Sequence, residues 1–174
     1  MSKISFVAIG LVNPKSPTNV GGIMRAVGCY SADAVFYTGK RYELAASNGS
    51  AQYNTDTKRA SSSIPLSKVE SLLDAIESDV KVVCVDLVEG AIPLPEFEHP
   101  EKAIYIFGPE DGTISQQVIN NADAVVYVPT VGCMNLAASV NVLLYDRLSK
   151  SSSIASDELI RSSRDTNNRV RVKR

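Results

Sequence analysis

Apolar residues along this chain gather into short unbroken runs separated by polar loops, a pattern that suits parallel strands buried on both faces. Residues 4–11, 34–38, 81–87, 103–107 and 125–128 each read as such a strand. Between them lie stretches with helical spacing. A helix is expected from Asn19 or Val20 to about Tyr30, with Ile23, Met24 and Val27 recurring along it and Asn19 as its candidate N-cap. Residues 67–76 set Val69, Leu72, Leu73 and Ile76 on one helical face behind a capping-box pattern of Ser67 and Glu70. Residues 115–121 predict a short helix, and Leu136, Val140, Leu143 and Leu144 predict a longer one after the last strand. Strands alternating with helices imply an α/β domain with a mostly parallel sheet and flanking helices.

The loops carry what the strands do not. After the strand at 125–128 the chain breaks at Pro129 and turns through Thr130, Val131 and Gly132 before the helix opens. Loops at the carboxyl ends of strands are where open α/β sheets hold ligands, because N–H groups at the helix start are unpaired. The segment 39–63 is long and polar, and sets Lys40, Arg41, Lys58 and Arg59 among Tyr42 and Tyr53, a mixture suited to phosphate contact and base stacking as well as to a plain solvated surface. His99 sits among Pro93, Pro95 and Pro100 and reads as a surface residue.

Composition narrows this picture. A chain of 174 residues with 44% hydrophobic residues fits one domain with one sizeable core, here residues 1–150. The formal charge of -1 supplies no bulk attraction to nucleic acid or membrane. Residues 151–174 form a serine-rich tail ending in Arg169, Arg171, Lys173 and Arg174, either a frayed terminus or a basic arm that touches phosphates. Cys29, Cys84 and Cys133 are far apart and His99 is the lone histidine, so a zinc site or disulfide framework is not expected. With no long apolar stretch or signal region, a cytoplasmic location is expected.

Neither GxGxxG after a strand nor GxxxxGK[ST] is present. Three other segments stand out, each behind a predicted strand: NPKSPTNVGGIMR (13–25), IFGPEDGTIS (106–115) and VPTVGCMNL (128–136). In this order and spacing they resemble the three motifs of the SPOUT superfamily of RNA methyltransferases, in its TrmH-like (SpoU) 2'-O-ribose branch. The resemblance runs from the first strand to about Arg147. It implies a carboxyl-terminal deep trefoil knot, which general fold rules exclude. It also implies S-adenosylmethionine as cofactor, held by backbone near Leu87, Gly108, Val128, Cys133 and Met134.

By the same resemblance Arg25 is the main catalytic residue. Its always-charged guanidinium suits gripping a phosphate and polarising the 2'-hydroxyl. Asn19 would orient it, Glu110 would fix loop or arginine by charge-assisted hydrogen bonds, and Asn135 would bond ribose or loop backbone. Cys133 stands where the family usually has serine, and the loop from Pro129 to Asn135 is short. The implied protein is a homodimer that methylates RNA, tRNA in preference to rRNA, with no metal and no membrane. A non-catalytic RNA-binding protein of the same fold is the other reading, and an unrelated nucleotide-binding enzyme a third.

Overall fold

The computed structural model describes residues 5–48, 62–152 and 155–173. Among them, seven strands form one sheet: β1 (Phe6–Leu11), β2 (Ala34–Tyr37), β3 (Leu66–Lys68), β4 (Lys81–Val85), β5 (Ile92–Pro93), β6 (Lys102–Phe107) and β7 (Ala124–Tyr127). Their order is β3-β2-β1-β6-β4-β7-β5, and every pairing is parallel. The helices are α1 (Pro17–Cys29), α2 (Arg41–Ser47), α3 (Gln116–Asn120), α4 (Leu136–Ser149) and α5 (Asp157–Ser163).

Two apolar layers explain the unbroken runs. On β6, Ala103, Tyr105 and Phe107 face the layer built by Val20, Ile23 and Val27 of α1 and by Val140, Leu143 and Leu144 of α4. Ile104 and Ile106 face the other layer, with Leu72, Ile114 and, partly buried, Val118 and Ile119. A strand sandwiched in this way needs apolar residues at consecutive positions. Helices α1 and α4 pack side by side on the first face.

The α1 boundary differs from the expected one. Ser16 is the N-cap, its hydroxyl accepting from Asn19 N at 3.3 Å, and Pro17 occupies the first turn, where a missing N–H costs nothing. Asn19 therefore lies inside the helix, and its side chain is free for another task.

The expected helix at 67–76 is absent. Leu66–Lys68 instead pairs with β2, Val35 opposite Leu66 and Tyr37 opposite Lys68, and residues 70–76 follow as turns and bends. Ser67 and Glu70 thus form no capping box. Leu72 still reaches the core at 5% exposure, with Leu73 and Ile76 packed against it. The apolar spacing is met by successive turns, because the backbone at 66–68 gains ladder hydrogen bonds at the sheet edge. In the polar segment α2 occupies 41–47, while Tyr53, Lys58 and Arg59 lie outside the described residues.

His99 is not a surface residue: its side chain is 5% exposed. Its Nε2 lies 2.8 Å from Asp146 Oδ2 and its Nδ1 2.7 Å from the Tyr105 hydroxyl, which also accepts from Arg147 Nη1 at 2.8 Å. A carboxylate only accepts and a guanidinium only donates, so with the imidazole neutral the direction of the chain is determined. Arg147 donates to Tyr105, Tyr105 donates to His99, and His99 donates to Asp146. Burial pushes the His99 pKa down, Asp146 opposes this, and Arg147 and Lys150 add to the depression. Arg147 also donates to Pro100 O, and Lys150 to Leu94 O and Phe97 O, so the proline-rich connection is pinned to α4.

Candidate active site

A cleft of about 430 Å³ opens at the carboxyl ends of β6, β4 and β7, which are neighbours in the sheet. Val85, Asp86 and Leu87 reach it from β4; Phe107, Gly108, Pro109 and Glu110 from β6; Val128, Thr130, Cys133, Met134 and Asn135 from β7. Asn19 closes one side from α1. The floor is apolar, through Val85, Phe107 and Leu136, while the rim is loop backbone with few charges. That combination and size suit a nucleoside-like molecule read through backbone N–H and C=O groups.

Gly108 is required at its position. A Cβ there would stand 3.2 Å from Ile114 N and from Thr113 C, both backbone atoms that cannot swing aside. Without a side chain the loop after β6 folds back on itself beside the cleft. Asp86 holds the same loop from β4, its Oδ2 accepting from Thr113 Oγ1 at 2.7 Å and Ile114 N at 3.1 Å.

Glu110 clasps the loop after β1. Its Oε2 accepts from Lys15 N at 2.8 Å, and its Oε1 from Ser16 N at 2.9 Å and Asn19 Nδ2 at 3.1 Å. Partial burial raises the Glu110 pKa, but the N–H groups of Ser16 and Lys15, with Asn19, outweigh it and hold the carboxyl below its ordinary range. The relay continues: Asn135 Nδ2 donates to Asn19 Oδ1 at 2.9 Å, and Asn135 Oδ1 caps α4 through Ala138 N. One polar line thus joins the loops behind β1, β6 and β7. Beside it Arg41 donates twice to Asn13 O and to both oxygens of Asp111 at 2.9 Å, and the guanidinium holds the Asp111 carboxyl below the usual range.

Nearly all the residues singled out from sequence meet here: Leu87, Gly108, Val128, Cys133 and Met134 line the cleft with Asn19, Glu110 and Asn135. Arg25 does not. It is exposed on α1 and makes no hydrogen bond or ion pair with a described residue. Six helical positions put it about 120° around the axis and about 9 Å along it from Asn19. Asn19 therefore does not orient Arg25 within the chain; its amide is engaged by Glu110 and Asn135. Cys133 is exposed at the rim, whereas Cys84 is buried within β4, where burial, with Asp86 adding to it, pushes its thiol up to about 12.

Asp86 and the bracing role of Arg41 were missed from sequence. An aspartate ending an apolar strand was a usable signal for the first, since carboxyl ends of strands build ligand sites. By sequence Arg41 reads as one of several basic residues suited to phosphate contact, and only the fold shows it bound to Asn13 and Asp111. Among the described residues no group of three or more His, Cys, Asp or Glu is placed to hold a metal ion.

A parallel α/β sheet with a nucleoside-sized cleft at its carboxyl edge, walled by three strand-end loops, defines a class of ligand-binding enzyme folds. The model of the SpoU rRNA Methylase family matches residues 7–145, and the chain belongs to that family. Among solved structures it is similar to the SpoU methyltransferase AviRb from Streptomyces viridochromogenes in complex with AdoMet, at 19% identity and TM-score 0.66, covering 84% of this chain and 61% of that one. An AdoMet-bound rRNA methyltransferase from Sinorhizobium meliloti matches at 18% identity and TM-score 0.68, over 87% and 59%. A structure concerned with 2-OH methylation of C/U34 on tRNA matches at 19% identity and TM-score 0.70, over 86% and 92%. These likenesses establish the fold, and the chain spans about three fifths of the length of the first two. No curated protein matches the sequence.

Proposed function

We propose that the chain is an S-adenosylmethionine-dependent RNA methyltransferase that methylates a ribose 2'-hydroxyl, with tRNA as the preferred substrate and rRNA as the other. The observation that carries this reading is the convergence in one cleft of the three loops whose motifs resemble the 2'-O-ribose branch of the family. The cofactor supplies a methyl carbon already electrophilic on a sulfonium. The chain's own task is placement, which is worth about 7 kcal/mol or more when reacting atoms are held in line.

The backbone after β4, β6 and β7 grips the nucleoside part, and the apolar floor excludes water. Glu110, Asn19 and Asn135 hold the loops in register around it. Arg25 lies outside the cleft of its own chain, which supports a homodimer in which Arg25 of a second copy reaches this cleft, grips the substrate phosphate and polarises the hydroxyl. The outward side of α4, where Val142, Tyr145 and Leu148 remain exposed, is the surface we assign to that copy. Under the same reading the segment after β6 is threaded as the family's trefoil knot, and the placement of β4 between β6 and β7 supports it.

The test is transfer of labelled methyl from S-adenosylmethionine to bulk tRNA and rRNA from a strain lacking the protein. Label on one RNA that disappears with Arg25→Ala supports the reading. Cofactor binding without transfer to either pool would favour the non-catalytic RNA-binding reading, with Cys133 the first residue to change to serine.

A further inference from the structure

Formal charge is unevenly distributed along the chain. Residues 151–174 hold six Lys or Arg against three Asp or Glu, while residues 1–150 hold twelve against sixteen. The structure shows how the basic part is arranged. Helix α5 begins after the cap Ser156, whose hydroxyl accepts from Leu159 N, and ends at Ser163, with Arg164 as a C-cap in extended backbone. Residues 170–172 then return beside it. Between them lies a groove of about 400 Å³ lined by Asp157, Ile160, Arg161, Arg164, Val170, Arg171 and Val172.

Three arginines, Arg161, Arg164 and Arg171, therefore line one groove. Arg161 lies in the last turn of α5, and Arg164 follows as its C-cap. Arg164 is half-buried, the others exposed. None of the three side chains makes a hydrogen bond or ion pair with a described residue. Three positive charges lining one groove without carboxylate partners give it a positive potential, which favours an anion there. Asp157 is the single acid in the lining, while Glu158 and Asp165 lie outside it. Planar donors in a fork match phosphate oxygens, and the apolar side chains of Ile160, Val170 and Val172 offer a surface for ribose or base.

We propose that α5 and residues 170–172 form a second RNA site, in which Arg161, Arg164 and Arg171 hold backbone phosphates of the RNA strand away from the methyl-transfer cleft. This rests on the reading that RNA is the substrate, and adds to it how the RNA is held. Phosphate contacts position nucleic acid without reading sequence, so the groove sets affinity and salt dependence rather than the choice of nucleotide.

The experiment compares full-length wild type with Arg161→Gln/Arg164→Gln/Arg171→Gln and with Lys68→Gln/Lys81→Gln/Lys102→Gln, which removes the same charge elsewhere. Labelled bulk tRNA is titrated by fluorescence anisotropy across a salt series, and S-adenosylmethionine affinity is measured in parallel. The arginine variant is expected to bind tRNA about tenfold more weakly at low salt, with the salt slope reduced by about two to three and cofactor affinity unchanged. The lysine variant should stay near wild type. Its three lysines sit in surface pairs with Glu43, Asp123 and Asp79, which contribute little to stability. The altered arginines pack no core, so thermal midpoints should agree; if the triple variant's shifts, the three single variants, each losing about one unit of slope, carry the comparison. Equal losses in the arginine and lysine variants, or no loss in either, would overturn the groove. Wild type that binds neither tRNA nor labelled bulk rRNA titrated in the same way would overturn the proposed function as well.

Discussion

Glu110→Gln tests the clasp between the loops behind β1 and β6. The substitution keeps shape and removes charge. The carboxylate accepts three N–H groups, two on Oε1 and one on Oε2. An amide has one accepting oxygen, so in either orientation its NH2 faces a donor, Lys15 N or the pair Ser16 N and Asn19 Nδ2. Hydrogen bonds to a charged group contribute about 1 kcal/mol more each than neutral ones, which sets a ceiling of about 3 kcal/mol. Glu110 is exposed, and water recovers part of that. The expected loss is about 1–2 kcal/mol of unfolding free energy at pH 7, read from urea denaturation with an unchanged slope. The pH dependence supplies a second reading. With its pKa lowered in the folded state, Glu110 stabilises fully above its unfolded value of about 4.3 and less as pH falls through the folded value. The variant should show a shallower acid limb. A change below about 0.5 kcal/mol at pH 7, within the range of ordinary surface substitutions, would refute the clasp.

Three further outcomes follow from the same geometry. His99 is the chain's one histidine and its folded pKa is lowered, so stability should be complete above about pH 6.5 and fall as pH drops towards the folded value. Urea midpoints at pH 7.5 and 5.5 should differ for wild type and nearly coincide for His99→Gln; equal slopes in both would contradict a buried neutral imidazole. Gly108→Ala should weaken S-adenosylmethionine binding by roughly tenfold, about 1.4 kcal/mol by calorimetry, because the added carbon displaces backbone at Thr113 and Ile114. Tyr145→Asp should shift the mass seen by light scattering from dimer to monomer, and a dimer that persists would move the interface away from α4.

Strands β1, β4, β6 and β7 were legible because burial on both faces leaves an uninterrupted apolar run, and α4 because Leu136, Val140, Leu143 and Leu144 share a face. The 67–76 segment was not, since the spacing that places Leu72 and Ile76 on a helix also places them on the core through consecutive turns. What decides between these is pairing with β2, distant in sequence. His99 was misread for a related reason: Tyr105, Asp146 and Arg147, the residues that make its burial affordable, come from β6 and α4. In the site, glycine and proline at strand ends marked the loops that wall the cleft, but roles did not follow from position. Asn19 looked like a cap, yet Ser16 takes that place. Arg25 and Asn19 share a helix in sequence and face different directions in space.

The proposed methyl transfer to a ribose 2'-oxygen is separated by its chemistry from methylation of a base. A 2'-O-methyl group removes the hydroxyl that attacks the neighbouring phosphodiester in alkali. RNA labelled by the wild-type protein from S-adenosylmethionine should therefore be hydrolysed in base and the fragments separated by size. Label in alkali-stable dinucleotides, from tRNA and absent with Arg25→Ala, is the predicted result. Label released entirely in mononucleotides would place the methyl on a base and rule out ribose 2'-O-methylation.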